Sequence, residues 1–172
     1  ATFCVLGNRV ANNADLVEKA HKNGNEIIGH SWDHKQLTRL SYTAIKKQLE
    51  DTNSAIFAVT GTMPAFHRPP YGATNKNVEN VSKELNMAML NWSVDPIDWK
   101  TKSADATYEH IMSNVENGSI ILCHDIHEAT GEAMERVIPD LLDQGYQLVT
   151  VSELFEYSET PITPGNLYRF VQ

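Results

Sequence analysis

The sequence predicts an α/β fold, a parallel sheet wound by right-handed βαβ units into a (β/α) barrel. Two observations carry that expectation. Short β-branched or apolar runs alternate with longer stretches whose apolar residues recur at helical spacing. Each conspicuous polar cluster also begins where such a short run ends: Gly29-His30-Ser31-Trp32-Asp33-His34, Arg68-Pro69-Pro70-Tyr71-Gly72, Asp95-Pro96-Ile97-Asp98-Trp99 and Leu122-Cys123-His124-Asp125. An open doubly wound sheet shares the alternation, yet polar loops at the C-terminal ends of successive strands are the arrangement of a barrel. At 172 residues and 41% hydrophobic content the chain is long enough for one core and short for two, so a single domain is expected.

Taken in order, Ala1-Thr2-Phe3-Cys4-Val5-Leu6 is β-branched and aromatic enough for a buried strand. Asn13 is placed to cap a helix to about Asn23, with Leu16, Val17 and Ala20 on its apolar face and Gly24 as its stop. Glu26-Ile27-Ile28-Gly29 is the next strand, and its end delivers His30. Ser41 opens a long helix to about Thr60, with Ile45, Leu49, Thr52, Ile56 and Val59 inward and Gly61 closing it. Ala65-Phe66-His67-Arg68 reads as a short strand halted by two prolines, and Asn75 to Leu85 as a helix with Val78, Val81 and Leu85 inward. Met87 to Trp92 is another strand. Asp105 caps a helix to about Asn117, after which Ser119 to Cys123, the most apolar run, is expected as a central parallel strand. Glu132 to Gln144 reads as a helix, Tyr146 to Val151 as a last strand and Ser152 to Tyr157 as a short helix, with an irregular tail from about Ser158.

Net charge is -8 with a pI near 5.3, which excludes a nucleic-acid partner held by phosphate contacts. No apolar run reaches membrane-spanning length, so no membrane contact is expected of this domain. Cys4 and Cys123 lie in apolar runs and lack the close partner of a cysteine zinc site; two buried thiols are expected rather than a disulfide. His21, His67 and His110 fall within predicted elements and read as structural, and Asp125 and His127 as loop scaffold.

His30 and His34, four residues apart, can share one face of a helical turn and grip one divalent cation. Alone the pair is a modest signal. With Arg68-Pro69-Pro70-Tyr71, Asp95-x-x-Asp98-Trp99 and Leu122-x-His124 it resembles, in order and over most of the chain, the NodB-homology polysaccharide deacetylases, carbohydrate esterase family 4. Within that family, Gly145-Tyr146 through Val149-Thr150-Val151-x-Glu153-Leu154 and His124-Asp125-Ile126-His127 look most like the bacterial peptidoglycan N-acetylglucosamine deacetylases. The resemblance implies that His30 and His34 bind a divalent metal, usually zinc, with cobalt or another transition metal as substitutes. It implies that Arg68 holds the catalytic carboxylate, that the backbone N–H of Tyr71 helps stabilise the oxyanion, and that Asp98 orients His124, the general acid. Trp99 and Leu122 would line the groove and the acetyl pocket, with Tyr71 also touching substrate.

The chemistry suits these residue types. A neutral amide is a poor electrophile, so a metal, an oxyanion donor and an imidazolium acid each remove part of the barrier. One departure from the family is large. Its Thr-Phe-Asp-Asp-Gly run supplies the catalytic base and the third metal ligand, and this chain lacks it, beginning instead at Ala1-Thr2-Phe3, which looks like the family's second strand. The expectation is therefore a single NodB-like domain over 1–172, a distorted barrel lacking its first strand and inactive alone, monomeric, from an extracellular or cell-wall-associated protein that is secreted or anchored through other segments. The expected substrate is the glycan strand of peptidoglycan. Chitin or chito-oligosaccharide deacetylation and acetylxylan ester hydrolysis are the enzyme alternatives, and a non-catalytic glycan-binding pseudoenzyme is the alternative of another class. A zinc peptidase would need Glu after the first histidine, where Ser31 stands.

Overall fold

The computed structural model describes residues 1–171. Two compact units divide the chain: Ala1–Asn91 with Thr150–Tyr168, and Trp92–Val149 with the chain from Arg169.

The first unit carries the whole sheet. β1 (Thr2–Val5) is followed by α1 (Gly7–Val10), α2 (Ala14–Lys22), β2 (Glu26–Gly29), α3 (Tyr42–Thr60), β3 (Phe66–His67), α4 (Lys76–Glu84) and β4 (Ala88–Leu90). All strand pairs are parallel, in register Val5↔Gly29, Gly29↔His67 and His67↔Met89. Strand order follows chain order without reversal, so the sheet has no switch point of the doubly wound kind and winds as a (β/α) barrel does.

Caps and apolar stripes account for the helices. Ser41 Oγ accepts from Ala44 N at the start of α3, and Gly61, at φ 70°, closes it. Its inward residues Ile45 and Leu49 join Leu37, Val78, Val81 and Met89 in one core cluster, while Ile56 joins Val10, Val17 and Ile27 in another. Asn75 caps α4 through Val78 N. Asn13 stands at the start of α2 without capping it; its amide bonds Arg9 O instead. Gly7 is required by a close approach, since a Cβ there would lie 2.5 Å from Trp32 Cε3 and 2.6 Å from Thr52 Oγ1.

In the second unit, α5 (Asp98–Thr101), α6 (Ala104–Asn114) and α7 (Glu128–Asp143) surround a core of Val94, Ile111, Val137 and Leu141. Ser103, not Asp105, caps α6, and Asp105 pairs instead with Arg136 at 2.6 Å. The strand expected over Ser119–Cys123 is reduced to two isolated bridges, Val94↔Ile121 and Ser119↔Phe170. Its would-be partner leaves after Val94 because Pro96 has no N–H and Ile97 N turns back onto Asp95 Oδ1 at 2.9 Å.

The strand expected at Tyr146–Val151 is also missing from the described residues. Tyr146 N still bonds Leu141 O at the end of α7, and Thr150 is committed to the capping box of α8 (Val151–Tyr157). Residues 147–149, which lie between them, take no part in a strand. Within the first unit the tail, expected irregular, supplies β5 (Leu167–Tyr168), which pairs with Met89 and Leu90 and gives the apolar β4 its second neighbour. Cys4 and Cys123 are half-buried rather than buried, and form no disulfide.

His67 is fully buried on β3. Ser82 Oγ donates to Val78 O at 2.7 Å, so it accepts from His67 Nε2 at 2.7 Å, and Nδ1 is left without a protein partner among the described residues. Burial pushes its pKa down to about 4. Below the ordinary value of about 6.5 an unfolded chain binds a proton that the folded chain refuses, so folding stability falls as pH drops from there towards 4, by about 3 kcal/mol at the limit. Urea denaturation at pH 7.5 and pH 4 should lose about that much more in the wild type than in His67→Asn; equal losses would show that the buried imidazole is not the titrating group.

Candidate active site

His30 and His34 are placed by the end of β2. His30 N donates to Val5 O at 2.8 Å, which continues the ladder by one residue, and the chain then leaves the sheet. Ser31 and His34 both adopt left-handed backbone, φ 64° and 63°, and His34 N bonds Ser31 Oγ at 3.0 Å. The two histidines therefore do not share a helical turn, as their spacing alone suggests. The loop folds them together instead, with ring centroids 4.8 Å apart in an edge arrangement. α3 pins the same loop: Gln48 accepts from Trp32 N at 2.8 Å and donates to Asp33 Oδ1 at 2.9 Å.

Arg68, following β3, engages His30 twice. Its carbonyl lies 2.6 Å from His30 Nδ1, and its Nη2 lies 3.5 Å from Nε2. A carbonyl only accepts, so Nδ1 carries the hydrogen and Nε2 keeps its lone pair. Burial, with the Arg68 guanidinium second, pushes the His30 pKa down to about 3, so the ring is neutral at physiological pH. Tyr71, 68% exposed and left-handed at φ 62°, stacks edge-on with His34 at 5.0 Å. The buried Asn91, at the end of β4, holds this turn by donating to Gly72 O at 3.0 Å.

In the second unit Asp98 and His124 form a pair. The Asp98 carboxylate is wholly buried and accepts four hydrogen bonds, two at each oxygen. Oδ1 receives Trp99 N at 2.9 Å and His124 Nδ1 at 2.7 Å; Oδ2 receives His124 N at 2.6 Å and Thr130 Oγ1 at 2.8 Å. Burial opposes its charge, but the bonds from His124 and Thr130 outweigh that and hold its pKa down at about 2. It is thus an anion whose only titratable donor is an imidazole. The bond at Nδ1 leaves Nε2 as the nitrogen that can exchange a proton. Ile97, just before Asp98, is left-handed at φ 55°, costly for a β-branched residue, and this backbone turns Asp98 inward. Trp99 is half-exposed and Leu122 is buried, Leu122 N donating to Val94 O at 2.9 Å.

Among the described residues no further His, Cys, Asp or Glu completes a metal-binding group with His30 and His34. The pair fits a divalent cation by its donor chemistry, a neutral imidazole with its tautomer set from behind beside a second imidazole. It falls short of the three protein ligands such ions usually take. Thr130, Asn91 and the left-handed Ile97 were not singled out from the sequence. A threonine near a helix start carries no distinctive signal, and backbone strain at an isoleucine carries none at all.

Residues 1–90 match the family profile described as polysaccharide deacetylase. Among characterised proteins, the chain is 39% identical over 155 residues to peptidoglycan-N-acetylglucosamine deacetylase PgdA of Listeria monocytogenes, covering 90% of this chain and 33% of that protein. It is 41% identical over 156 residues to peptidoglycan-N-acetylmuramic acid deacetylase PdaC of Bacillus subtilis, covering 91% and 33%. The chain thus spans about a third of the length of these relatives. Among solved structures, a family 4 acetyl xylan esterase from Clostridium thermocellum in complex with a cobalt ion superposes with a TM-score of 0.93 at 32% identity, over 99% of this chain and 85% of that one.

Each Asp98 oxygen serves one backbone N–H, so an amide in its place must turn its own N–H₂ towards either Trp99 N or His124 N. Asp98→Asn should therefore cost about 2 kcal/mol of folding stability at pH 7, the penalty of one buried orphan donor, by chemical denaturation. A loss under roughly 0.5 kcal/mol would mean that the four-bond arrangement is not maintained in solution.

Proposed function

This chain belongs to the polysaccharide deacetylase family, and from that premise we propose that it hydrolyses N-acetyl groups on N-acetylglucosamine residues of cell-wall peptidoglycan, releasing acetate. The single observation that carries a hydrolytic reading is the Asp98–His124 pair, a buried, fully bonded carboxylate that fixes an imidazole by Nδ1. A glycan-binding surface has no use for such a device. An acid that must protonate a departing amine does.

In this reading His30, whose Nε2 keeps its lone pair, and His34 would hold a divalent cation, zinc in the first instance. When bound, that ion polarises the amide carbonyl and lowers the pKa of its water. The backbone N–H of Tyr71 donates to the oxygen on which negative charge develops. His124, as the imidazolium with its Nδ1–H on Asp98, delivers its Nε2 proton to the amide nitrogen as the C–N bond breaks and is left as the neutral Nδ1–H ring, so the sugar leaves as a neutral amine. Arg68 keeps the catalytic carboxylate ionised. The half-exposed Trp99 offers a flat apolar face to a pyranose ring, and the buried Leu122 flanks the acetyl methyl. The base and the third metal ligand are assigned to the family's Thr-Phe-Asp-Asp-Gly run, which these 172 residues do not contain; without it the chain is proposed to be inactive. The proposed place of action is the cell wall, and the proposed working form a monomer.

Peptidoglycan as substrate is supported by the names of both relatives, which differ in the sugar they act on. A second reading, a glycan-binding pseudoenzyme, is favoured by one observation, the absence of a third metal-binding group among the described residues. It leaves the Asp98–His124 pair without a purpose.

These assignments separate by experiment on protein carrying the Thr-Phe-Asp-Asp-Gly segment. His30→Ala and His34→Ala should each abolish zinc uptake by elemental analysis, and unchanged metal content would refute the ligand assignment. His124→Ala should keep the metal and lose roughly 10²-fold or more of acetate release from peptidoglycan, as expected for a missing general acid. Near-normal release would remove His124 from the mechanism, and no release from the unsubstituted, metal-loaded protein would favour the pseudoenzyme.

A further inference from the structure

Thr130 lies in the first turn of α7, 2% exposed, with its backbone N–H on His127 O at 3.0 Å. Within a helix a threonine hydroxyl commonly turns back onto a carbonyl of the preceding turn. Here it points away from its own helix and donates to Asp98 Oδ2. Three of the four donors on that carboxylate belong to His124 or to the residue after Asp98 itself. Thr130 supplies the fourth, from a separate element. The terminal torsion of an aspartate is broad, so bonds at one oxygen alone leave the group able to swing. With Oδ2 held by Thr130 and by His124 N, Oδ1 is fixed facing His124 Nδ1.

We propose that Thr130 is a positioning residue for His124: its hydroxyl locks the Asp98 carboxylate so that Oδ1 holds the imidazole as its Nδ1–H tautomer and Nε2 is the nitrogen presented for proton transfer. The proposal rests on the reading of His124 as the acid. Without Thr130, Oδ2 would keep only the bond from His124 N, on the segment to be oriented; Thr130 adds the one anchor from a separate helix. The matching low pKa of Asp98 agrees, since the Thr130 bond is among those that favour its anion.

The test is the tautomer state of His124, read on this chain by two-bond nitrogen–proton NMR correlation of the imidazole rings above their titration range. Wild type and Thr130→Ser should both show His124 as the Nδ1–H tautomer. Thr130→Val keeps the shape and removes the donor, and should shift the tautomer ratio about fivefold towards Nε2–H, the effect of one ordinary hydrogen bond. A residue that merely packs would behave in the opposite way, with the valine variant like wild type and the serine variant perturbed, and that result overturns the proposal. Should Thr130→Val not fold, the hydroxyl proton of Thr130 in the wild type decides: slow exchange with water is expected, and exchange at the rate of an exposed hydroxyl refutes the lock. Because the readout is spectroscopic, its failure is distinct from failure of the acid assignment, which the turnover of His124→Ala reports.

Discussion

A carboxylate cut off from water must find every hydrogen bond inside the protein, and in the second unit that demand shapes what surrounds Asp98. A carboxylate has four acceptor positions, and all four are filled. To fill them the chain adopts left-handed backbone at Ile97, starts α5 at Asp98 itself, brings the backbone and the ring of His124 to the same group, and begins α7 early enough to present Thr130. An ionised group left short of partners at such depth is far costlier than any one of these local distortions. The bent backbone is the lesser of two penalties.

The first unit solves a different problem, holding two imidazoles side by side on a loop. Around that pair Ser31, His34 itself and Tyr71, whose ring meets His34, lie in the left-handed region, each at a cost of order 1–3 kcal/mol. Such strain persists only where neighbours over-determine the path. Those neighbours are visible: the β2–β3 ladder beneath His30 and Arg68, the Gln48 amide clamping residues 32 and 33, and Asn91 gripping Gly72. His30 is neutral first because it is buried and second because the Arg68 guanidinium discourages a proton on Nε2, while the Arg68 carbonyl fixes Nδ1 as the nitrogen that keeps its hydrogen.

Much of this was legible in the sequence, and what was not has identifiable causes. Helical periodicity with a Ser or Asn cap placed α3 and α4 to within a residue, because cap, stripe and stop agree there. The site residues stood out because polar groups that abruptly follow apolar strands are rarely accidental. Ser119–Cys123 misled because an apolar run advertises burial rather than pairing; what denied it a ladder was a proline on its partner, at residue 96. β5 hid in a tail with two prolines because two residues are too few for a period. The helical turn expected of His30 and His34 failed because a spacing of four is silent about φ, and Ser31 takes the sign that helices exclude.

Gly7 is remote in sequence from every residue assigned a chemical role, yet the face it leaves bare is where the edge of Trp32 comes to rest, in the middle of the segment that joins His30 and His34. The smallest side chain nature offers beyond hydrogen would contest that space with an indole. A side chain at residue 7 would meet not only that ring but Thr52 Oγ1 at 2.6 Å and Thr52 Cα at 2.9 Å, so trimming the aromatic at 32 would not by itself make room, and α3 and the segment beside it would have to shift together. Position 7 thus helps to set the geometry beside His30 and His34 without taking part in any chemistry there.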